Sequence, residues 1–344
     1  MRYNEIMRQN GLTVADFFAG IGGLRMGFEK AGYKIVYSND IDKNCCKTYR
    51  DNFGEIDERD IREVQPDLIP DFDVLIGGFP CQPFSMIGKR RGLNDDRGKL
   101  FFELIRIMAA KRPKAFLLEN VRHLLKHENG KSFEIIKQNL EWLGYKVFKQ
   151  ILNSADFGVP QRRERLYIVG FLNQDIEFEF PKKKSERRLK DILEKRPNEA
   201  FYLSEKYYSG LLAHKERHQE KGSGFGCEIL DPEYLTHTLV AGNMGRERNL
   251  IQDAPTNKNR WGIRRLTARE CARLQGFPES FKLPVHITVA YKQLGNAVTV
   301  PVAQAIAVLI KKILLNNPIS LDAIPSSPAL GQLASGMCQK TTAA

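Results

Sequence analysis

Short apolar runs alternate with segments of helical period along the first half of the chain, and this alternation limits the fold more than any other feature. Leu12-Thr13-Val14-Ala15-Asp16, Ile35-Val36-Tyr37, Val74-Leu75-Ile76 and Ala115-Phe116-Leu117-Leu118 read as short buried strands. Residues 24–31, 43–53, 100–111 and 131–143 read as helices, followed by extended segments at 145–152 and 166–171. Such alternation predicts a doubly wound α/β sheet, in which ligands collect at the carboxyl ends of the strands. Asp16, Asp40, Cys81 and Glu119 stand at or just past such ends, so the pattern predicts that they share one cleft.

The first strand runs into Phe17-Phe18-Ala19-Gly20-Ile21-Gly22-Gly23, a tight glycine turn that opens a helix. A strand, glycine turn and helix in this order hold a nucleotide-like ligand by close backbone approach and by the helix N-terminus. The dinucleotide fingerprint would require a third glycine where Arg25 stands, so an adenosine without phosphates fits better than a pyrophosphate. Asp40 follows the next apolar run, about 20 residues beyond the first glycine, where an acid accepts both ribose hydroxyls. A solvated turn aspartate is the plain alternative.

The third strand leads directly into Gly77-Gly78-Phe79-Pro80-Cys81-Gln82-Pro83-Phe84-Ser85. The glycines admit a substrate close to the backbone, Pro80 and Pro83 stiffen the turn, and Gln82 and Ser85 put polar groups beside the Cys81 thiol. A cysteine so placed is set to react rather than to pack.

This stretch resembles the active-site loop of the DNA (cytosine-5) methyltransferases of bacterial restriction-modification type. The resemblance continues in the family's order from Thr13 to about Leu315. Asp40-Ile41, Asp60-Ile61, Arg97-Gly98 before Leu100, Glu119-Asn120-Val121, and Gln161-Arg162-Arg163-Glu164-Arg165 follow the glycine turn. Arg264 to Glu270 with Gly276-Phe277-Pro278 resembles the motif that supports the target-recognition region, and Gln293-Leu294-Gly295-Asn296-Ala297-Val298 closes the set. One departure is visible: Asp40 stands where a glutamate is commoner, one methylene shorter.

The resemblance implies a Rossmann-like methyltransferase sheet binding S-adenosylmethionine, with S-adenosylhomocysteine as product and no metal. By it, Phe18, Gly20, Gly22, Gly23, Leu24, Asp40, Ile41, Asp60, Ile61, Pro80, Leu100, Asn296 and Val298 would hold the cofactor. Cys81 would add to carbon 6 of a flipped-out cytosine, Glu119 would hydrogen-bond ring nitrogen 3 and the exocyclic amine, and Arg163 and Arg165 would contact the base and its phosphate. Gln82, Ser85, Ile87, Lys89, Arg90 and Arg97 would touch DNA.

Composition sets bounds that agree. The 344 residues exceed a usual single core, and with 42% hydrophobic and 27% charged residues the chain is of globular composition. No uninterrupted apolar run approaches the roughly 20 residues of a membrane span. No signal peptide is read before Met1-Arg2-Tyr3-Asn4, so a reducing bacterial cytoplasm, in association with the nucleoid, is expected. The six cysteines show no Cys-x-x-Cys spacing, and the pairs His123/His127 and His214/His218 lack the companions of a zinc site, so they read as exposed helix residues. The net charge of +12, from 53 Lys and Arg against 41 Asp and Glu, suits a polyanionic partner. Lys89, Arg90, Arg91, Arg97 and Lys99, with Gly88, Gly92 and Gly98 as flexible points, read as a loop that closes over a phosphate backbone.

From 172 to 262 the pattern breaks into short elements, and the family places its target-recognition domain here. The expected division is 1–171 plus 263–315 for a discontinuous catalytic domain, 172–262 for target recognition, and 316–344 for a flexible tail. Thr238-Leu239 falls where the family carries a Thr-Leu pair. Arg246, Arg248 and Asn249 are candidate base readers, although either arginine can equally pair with Glu247 or hold a phosphate, and Phe225 can fill the hole left by an extruded base. The expectation is a monomer acting on double-stranded DNA at a short G·C-rich palindrome, with a restriction endonuclease as genetic rather than physical partner. A tRNA cytosine-5 methyltransferase, a non-enzymatic DNA-binding protein and an amino-group methyltransferase, which would carry a Pro-Pro-Tyr type loop in place of Pro80-Cys81-Gln82, are the rival readings. The variable region suits the first less well, and the full cofactor set would be without purpose in the second.

Overall fold

The computed structural model describes residues 11–80, 100–223, 226–242, 247–255 and 260–317. Its centre is a six-stranded sheet built from β1 (Thr13–Phe17), β2 (Lys34–Asn39), β3 (Val74–Gly77), β4 (Ala115–Val121), β5 (Lys146–Asn153) and β6 (Glu164–Phe171), in the order β2-β1-β3-β4-β6-β5. The first four strands are parallel, and β6 runs antiparallel to both β4 and β5. The helices α1 (Gly23–Lys30), α2 (Lys43–Phe53), α3 (Leu100–Lys111) and α4 (Lys131–Trp142) lie between them.

Strand residues alternate between two cores because successive side chains point to opposite faces. Ala15, Phe17, Leu75, Phe116 and Leu118 pack with Leu104 and Met108 of α3 and Ile136 and Leu140 of α4. Val14, Val74, Ile76, Ala115 and Leu117 pack on the other face with Leu24 and Phe28 of α1 and with α8 (Val300–Asn316). Burial of both faces explains why β3 reads as an unbroken apolar run. Helix α1 approaches α8 so closely that a Cβ at Gly27 would come within 2.6 Å of Ala303 Cβ.

The chain from 287 to 316 matches a membrane span in length and apolarity, with a mean hydropathy of 1.9 over an 18-residue window. It is divided at Ala297 into α7 (Ile287–Asn296) and α8, and α8 buries Val302, Ala303, Ile306 and Ile310 against the sheet, as a core helix does.

Beyond β6 the chain remains on the sheet: Phe178 lies 5.7 Å from Phe171 and 4.9 Å from Phe180 between ring centroids. The region expected to hold only short elements contains a 16-residue helix, α5 (Glu205–Glu220), started by the Ser204 cap. None of its residues is fully buried and only Tyr208 and Leu211 pack on a core, so it lacks the apolar stripe by which a helix is read. The hairpin of β7 (Leu250–Gln252) and β8 (Ile263–Arg265) precedes α6 (Ala268–Leu274). A third core joins Leu239 and Ile251 to Leu266, Leu274, Phe277, Tyr291 and Leu294, so this region is packed onto the segment that returns to the sheet.

The motif at 264–270 builds the joint. Glu270, fully buried, accepts from both Arg264 Nη1 and Nη2 at 2.8 and 3.0 Å, from Thr267 N–H at 2.7 Å and from Glu194 N–H at 2.9 Å. Arg264 Nε reaches Asp253 at 2.5 Å. A buried ion pair with its lone pairs and protons this fully used is one that holds geometry.

The expectation of exposed helix residues holds for the exposure of His123 but not for the other three histidines. His127 is half-buried in a 3-10 turn with Nδ1 2.6 Å from Ser132 Oγ, and the half-buried His214 and His218 of α5 have their rings tilted at 46° with centroids 4.4 Å apart. Among the described residues no three His, Cys, Asp or Glu side chains gather to hold a metal ion.

Candidate active site

A cleft of about 620 Å³ opens at the carboxyl ends of β1 to β4 and is closed on its far side by the end of α7. One half is made by the turn after β1. Gly22 caps α1 with φ of +83°, and a Cβ there would lie 2.3 Å from the Phe53 ring, so this glycine serves the turn and its packing on α2. It does not line the cleft as expected; Phe18, Gly20, Gly23 and Leu24 do. Phe18 itself sits at φ of +53°, a strained setting for a bulky residue. Arg25, where a dinucleotide site would have glycine, points away onto Tyr49 and Phe53 and donates to Tyr49 Oη at 2.9 Å.

Asp40 closes the turn. Its Oδ2 accepts from Gly20 N–H at 2.7 Å and its Oδ1 from Asp42 N–H at 2.8 Å. Burial raises its pKa, and these backbone donors restrain the rise. Each oxygen keeps a lone pair, which is what a pair of ribose hydroxyls requires. Beside it Ile41 leaves 60% of its surface exposed on the cleft wall, an apolar platform suited to an adenine face. Asp60, paired with Arg62 at 2.6 Å, lies on the wall with Ile61 and Leu100. Asn296 and Val298 complete it, with the Val298 carbonyl against Gly23. An apolar platform, a hydroxyl acceptor and a bare turn fit an adenosine-bearing ligand without phosphates, as S-adenosylmethionine is.

Asp16 does not join this cleft, contrary to the expectation. It is fully buried, its two oxygens have no hydrogen-bond partner among the described residues, and burial drives its pKa well up.

The other half of the cleft is catalytic in character. Glu119 lies within the buried run of β4, with 8% of its surface exposed and Oε1 3.2 Å from Arg165 Nε. Burial pushes its pKa up, while Arg165 and then Arg163 pull it down. A carboxyl poised this way can carry a proton into a hydrogen bond with a ring nitrogen. A Cβ added at Gly78 would sit 3.6 Å from Glu119 Oε2, so the root of the cysteine loop borders the carboxyl. Asn120 fixes that root by donating to Phe79 O at 3.0 Å, a part that sequence reading left unassigned although it lies in the quoted Glu-Asn-Val motif. Pro80 lies on the wall. Cys81, Gln82, Ser85, Ile87, Lys89, Arg90 and Arg97 lie outside the described residues, as do Phe225 and Arg246.

Two expectations change. Arg163, 1% exposed, donates Nη1 to Leu239 O at 2.8 Å and Nη2 to Gly295 O at 3.0 Å and Ala297 O at 2.9 Å, so its terminal nitrogens are committed to backbone and not to a base. Asn249 is likewise 1% exposed and accepts from His237 N–H at 2.9 Å, which removes it from the base readers; Arg248 stays half-buried. Cys45, Lys292 and Gln293 line the cleft unforeseen. Gln293 lay inside a quoted motif, and Cys45 carried no signal.

Comparison with known proteins agrees with this geometry. The Type II methyltransferase M.NlaX of Neisseria lactamica is 43% identical over 298 residues, covering 86% of this chain and 94% of that protein. The Type II methyltransferase M.HpaII of Haemophilus parainfluenzae is 45% identical over 313 residues, covering 85% and 87%. The crystal structure of the S. pombe Dnmt2 methyltransferase superposes with a TM-score of 0.72 at 25% identity, covering 90% of this chain and 100% of that one. The profile of the C-5 cytosine-specific DNA methylases matches residues 12–312, and the chain belongs to that family.

Proposed function

We propose that this DNA (cytosine-5) methyltransferase acts on a cytosine flipped out of double-stranded DNA, through a covalent adduct of Cys81 with carbon 6. The observation that carries the reading is one continuous cleft holding an adenosine-shaped half at Phe18, Asp40 and Ile41 and a buried Glu119–Arg165 pair at its other end. S-adenosylmethionine would be held in the first half by Asp40 at its ribose hydroxyls and by Ile41 at its adenine, and would supply an electrophilic methyl group.

At the other end Cys81 attacks as thiolate, and Glu119 protonates or hydrogen-bonds ring nitrogen 3, so that the electron pair arriving at carbon 6 is shared with carbon 5, which becomes nucleophilic. Arg165, with Nη2 unpartnered among the described residues, orients the base or its phosphate. Once carbon 5 has taken the methyl group, loss of its proton to solvent returns the electron pair to the ring and expels Cys81 as thiolate. No step calls for a metal.

Residues 1–171 and 263–315 form the catalytic unit in this reading, and 172–262 choose the site, with Arg246 or Arg248 as guanine readers and Phe225 as filler of the vacated stack. The Type II names of the relatives support a role in protecting host DNA from a partner endonuclease, and the enzyme in this reading is a cytoplasmic monomer. Bisulfite sequencing of plasmid from cells making the protein should reveal one methylated motif, and Cys81→Ser should abolish it while DNA binding persists. DNA carrying 5-fluorocytosine in that motif should trap the wild type in denaturing gels. Turnover by Cys81→Ser, or no trapped species, would overturn the mechanism.

A further inference from the structure

Arg163 uses both terminal nitrogens of its guanidinium to join two parts of the molecule, while its buried Nε has no partner among the described residues. Leu239, which takes Nη1, belongs to the segment 236–239 that lies along 160–163: Thr236 N–H donates to Pro160 O, Arg162 N–H to Thr236 O and Leu239 N–H to Gln161 Oε1, each at 2.9 Å. This segment leads into the candidate reading loop. Gly295 and Ala297, which share Nη2, are on the cleft wall with Asn296 and Val298. The two parts also touch directly, since a Cβ at Gly295 would lie 2.4 Å from the Val240 carbonyl carbon. A rigid planar donor set holding carbonyls of both parts fixes their spacing in a way that a flexible point charge would not.

We infer that Arg163 is a positioning residue that couples the cofactor wall at 295–298 to the root of the recognition segment at 236–239. Ordering of either part favours the arrangement of the other. The coupling is reciprocal: a ligand seated against Asn296 and Val298 tightens binding of cognate DNA by the same factor by which that DNA tightens binding of the ligand. The inference rests on the proposed reading of the cleft as the S-adenosylmethionine site.

Amide hydrogen exchange of the wild type, without DNA and with S-adenosylhomocysteine as probe, tests it. Exchange should slow at Gly20 and Asn296 in the cleft, and by about fivefold or more at Thr236 and Leu239, which do not line it. Slowing in the cleft with none at Thr236 and Leu239 would overturn the coupling alone. No slowing anywhere would overturn the cofactor reading and the coupling with it. In titration calorimetry, DNA bearing the motif found by bisulfite sequencing should tighten S-adenosylhomocysteine binding by roughly 5- to 150-fold in the wild type. In Arg163→Lys, which keeps the charge but cannot span three carbonyls, the same ratio should fall to about twofold or less, with affinity for S-adenosylhomocysteine alone changing far less than the ratio. A ratio preserved in Arg163→Lys, or absent in the wild type, refutes the inference, and the exchange measurement decides it should the variant not fold.

Discussion

Replacing Asp40 by asparagine separates the two tasks its carboxylate performs. Both oxygens accept from backbone, Oδ2 from Gly20 and Oδ1 from Asp42, at 2.7 and 2.8 Å. An amide has one acceptor and one donor end, so one of the two N–H groups must face an NH2. The loss of one charge-assisted bond and the stranding of a half-buried donor should cost about 1–3 kcal/mol of folding stability. The ribose hydroxyls also lose one of their two acceptor oxygens, so S-adenosylhomocysteine binding should weaken by about 10- to 100-fold, or roughly 1.4–2.8 kcal/mol. Because burial raises the Asp40 pKa, the ionised acceptor is lost on acidification at a pH above the usual aspartate range. Wild-type affinity should therefore fall as pH is lowered into that range, whereas the asparagine variant should stay flat. Calorimetry across pH, paired with thermal denaturation of both proteins, gives the two numbers. Equal affinity for wild type and variant at neutral pH would refute the assignment of Asp40 to the ribose, and a stability loss without an affinity loss would reduce it to a brace for the turn.

Three further outcomes are expected. Glu119→Gln should lower the single-turnover methylation rate by about 10²- to 10⁴-fold while leaving DNA affinity little changed, and near-normal turnover would remove Glu119 from the proton inventory. Glu270→Gln breaks a fully buried pair with Arg264 and should cost about 3–5 kcal/mol in urea denaturation; a negligible loss would mean that the joint is held by its apolar contacts instead. Asp16→Asn should stabilise the protein at neutral pH, because burial raises the Asp16 pKa and the amide has no charge to bury. Between the unfolded and the raised folded value the native state holds the extra proton, so wild-type stability declines as pH rises through that window. The difference in Tm should therefore close toward acid pH, and a gap independent of pH would contradict the assignment.

Much of the sheet and of the cofactor half was legible because the signals are local. The helices at Lys43–Phe53 and Leu100–Lys111 have the bounds read from their periods, and Phe18, Asp40 and Ile41 stand in the cleft where the strand ends place them. The antiparallel course of β6 was not legible, since a strand's period reveals its faces but not its partner. Asn249 shows a different limit. Its sequence setting, among arginines and glycines, is that of a surface loop, yet its side chain turns inward to hold His237 N–H, 12 residues away. No property of the segment 242–249 encodes that direction. Arg163 shows a related limit: a motif identifies the residue type, whereas the three carbonyls its terminal nitrogens hold lie 76 to 134 residues away.

The motif at 161–165 makes physical sense of its own spacing once these partners are known. Gln161 bonds Leu274 O and Leu239 N–H, Arg163 bonds Leu239, Gly295 and Ala297, and Arg165 reaches Glu119, so every second residue turns inward. Exposure rises along this stripe from none at Gln161 through 1% at Arg163 to 14% at the Arg165 side chain. Setting changes with it, from joint to brace to a charge on the cleft wall. Arg162 and Glu164, between them, face outward, Glu164 pairing with Arg122 at the rim. A single extended segment thus links the segment at 236–239 to the buried carboxyl of Glu119 within five residues. The alternation follows from extended backbone geometry, which turns successive side chains to opposite sides, rather than from any separate demand of the chemistry at the intervening positions.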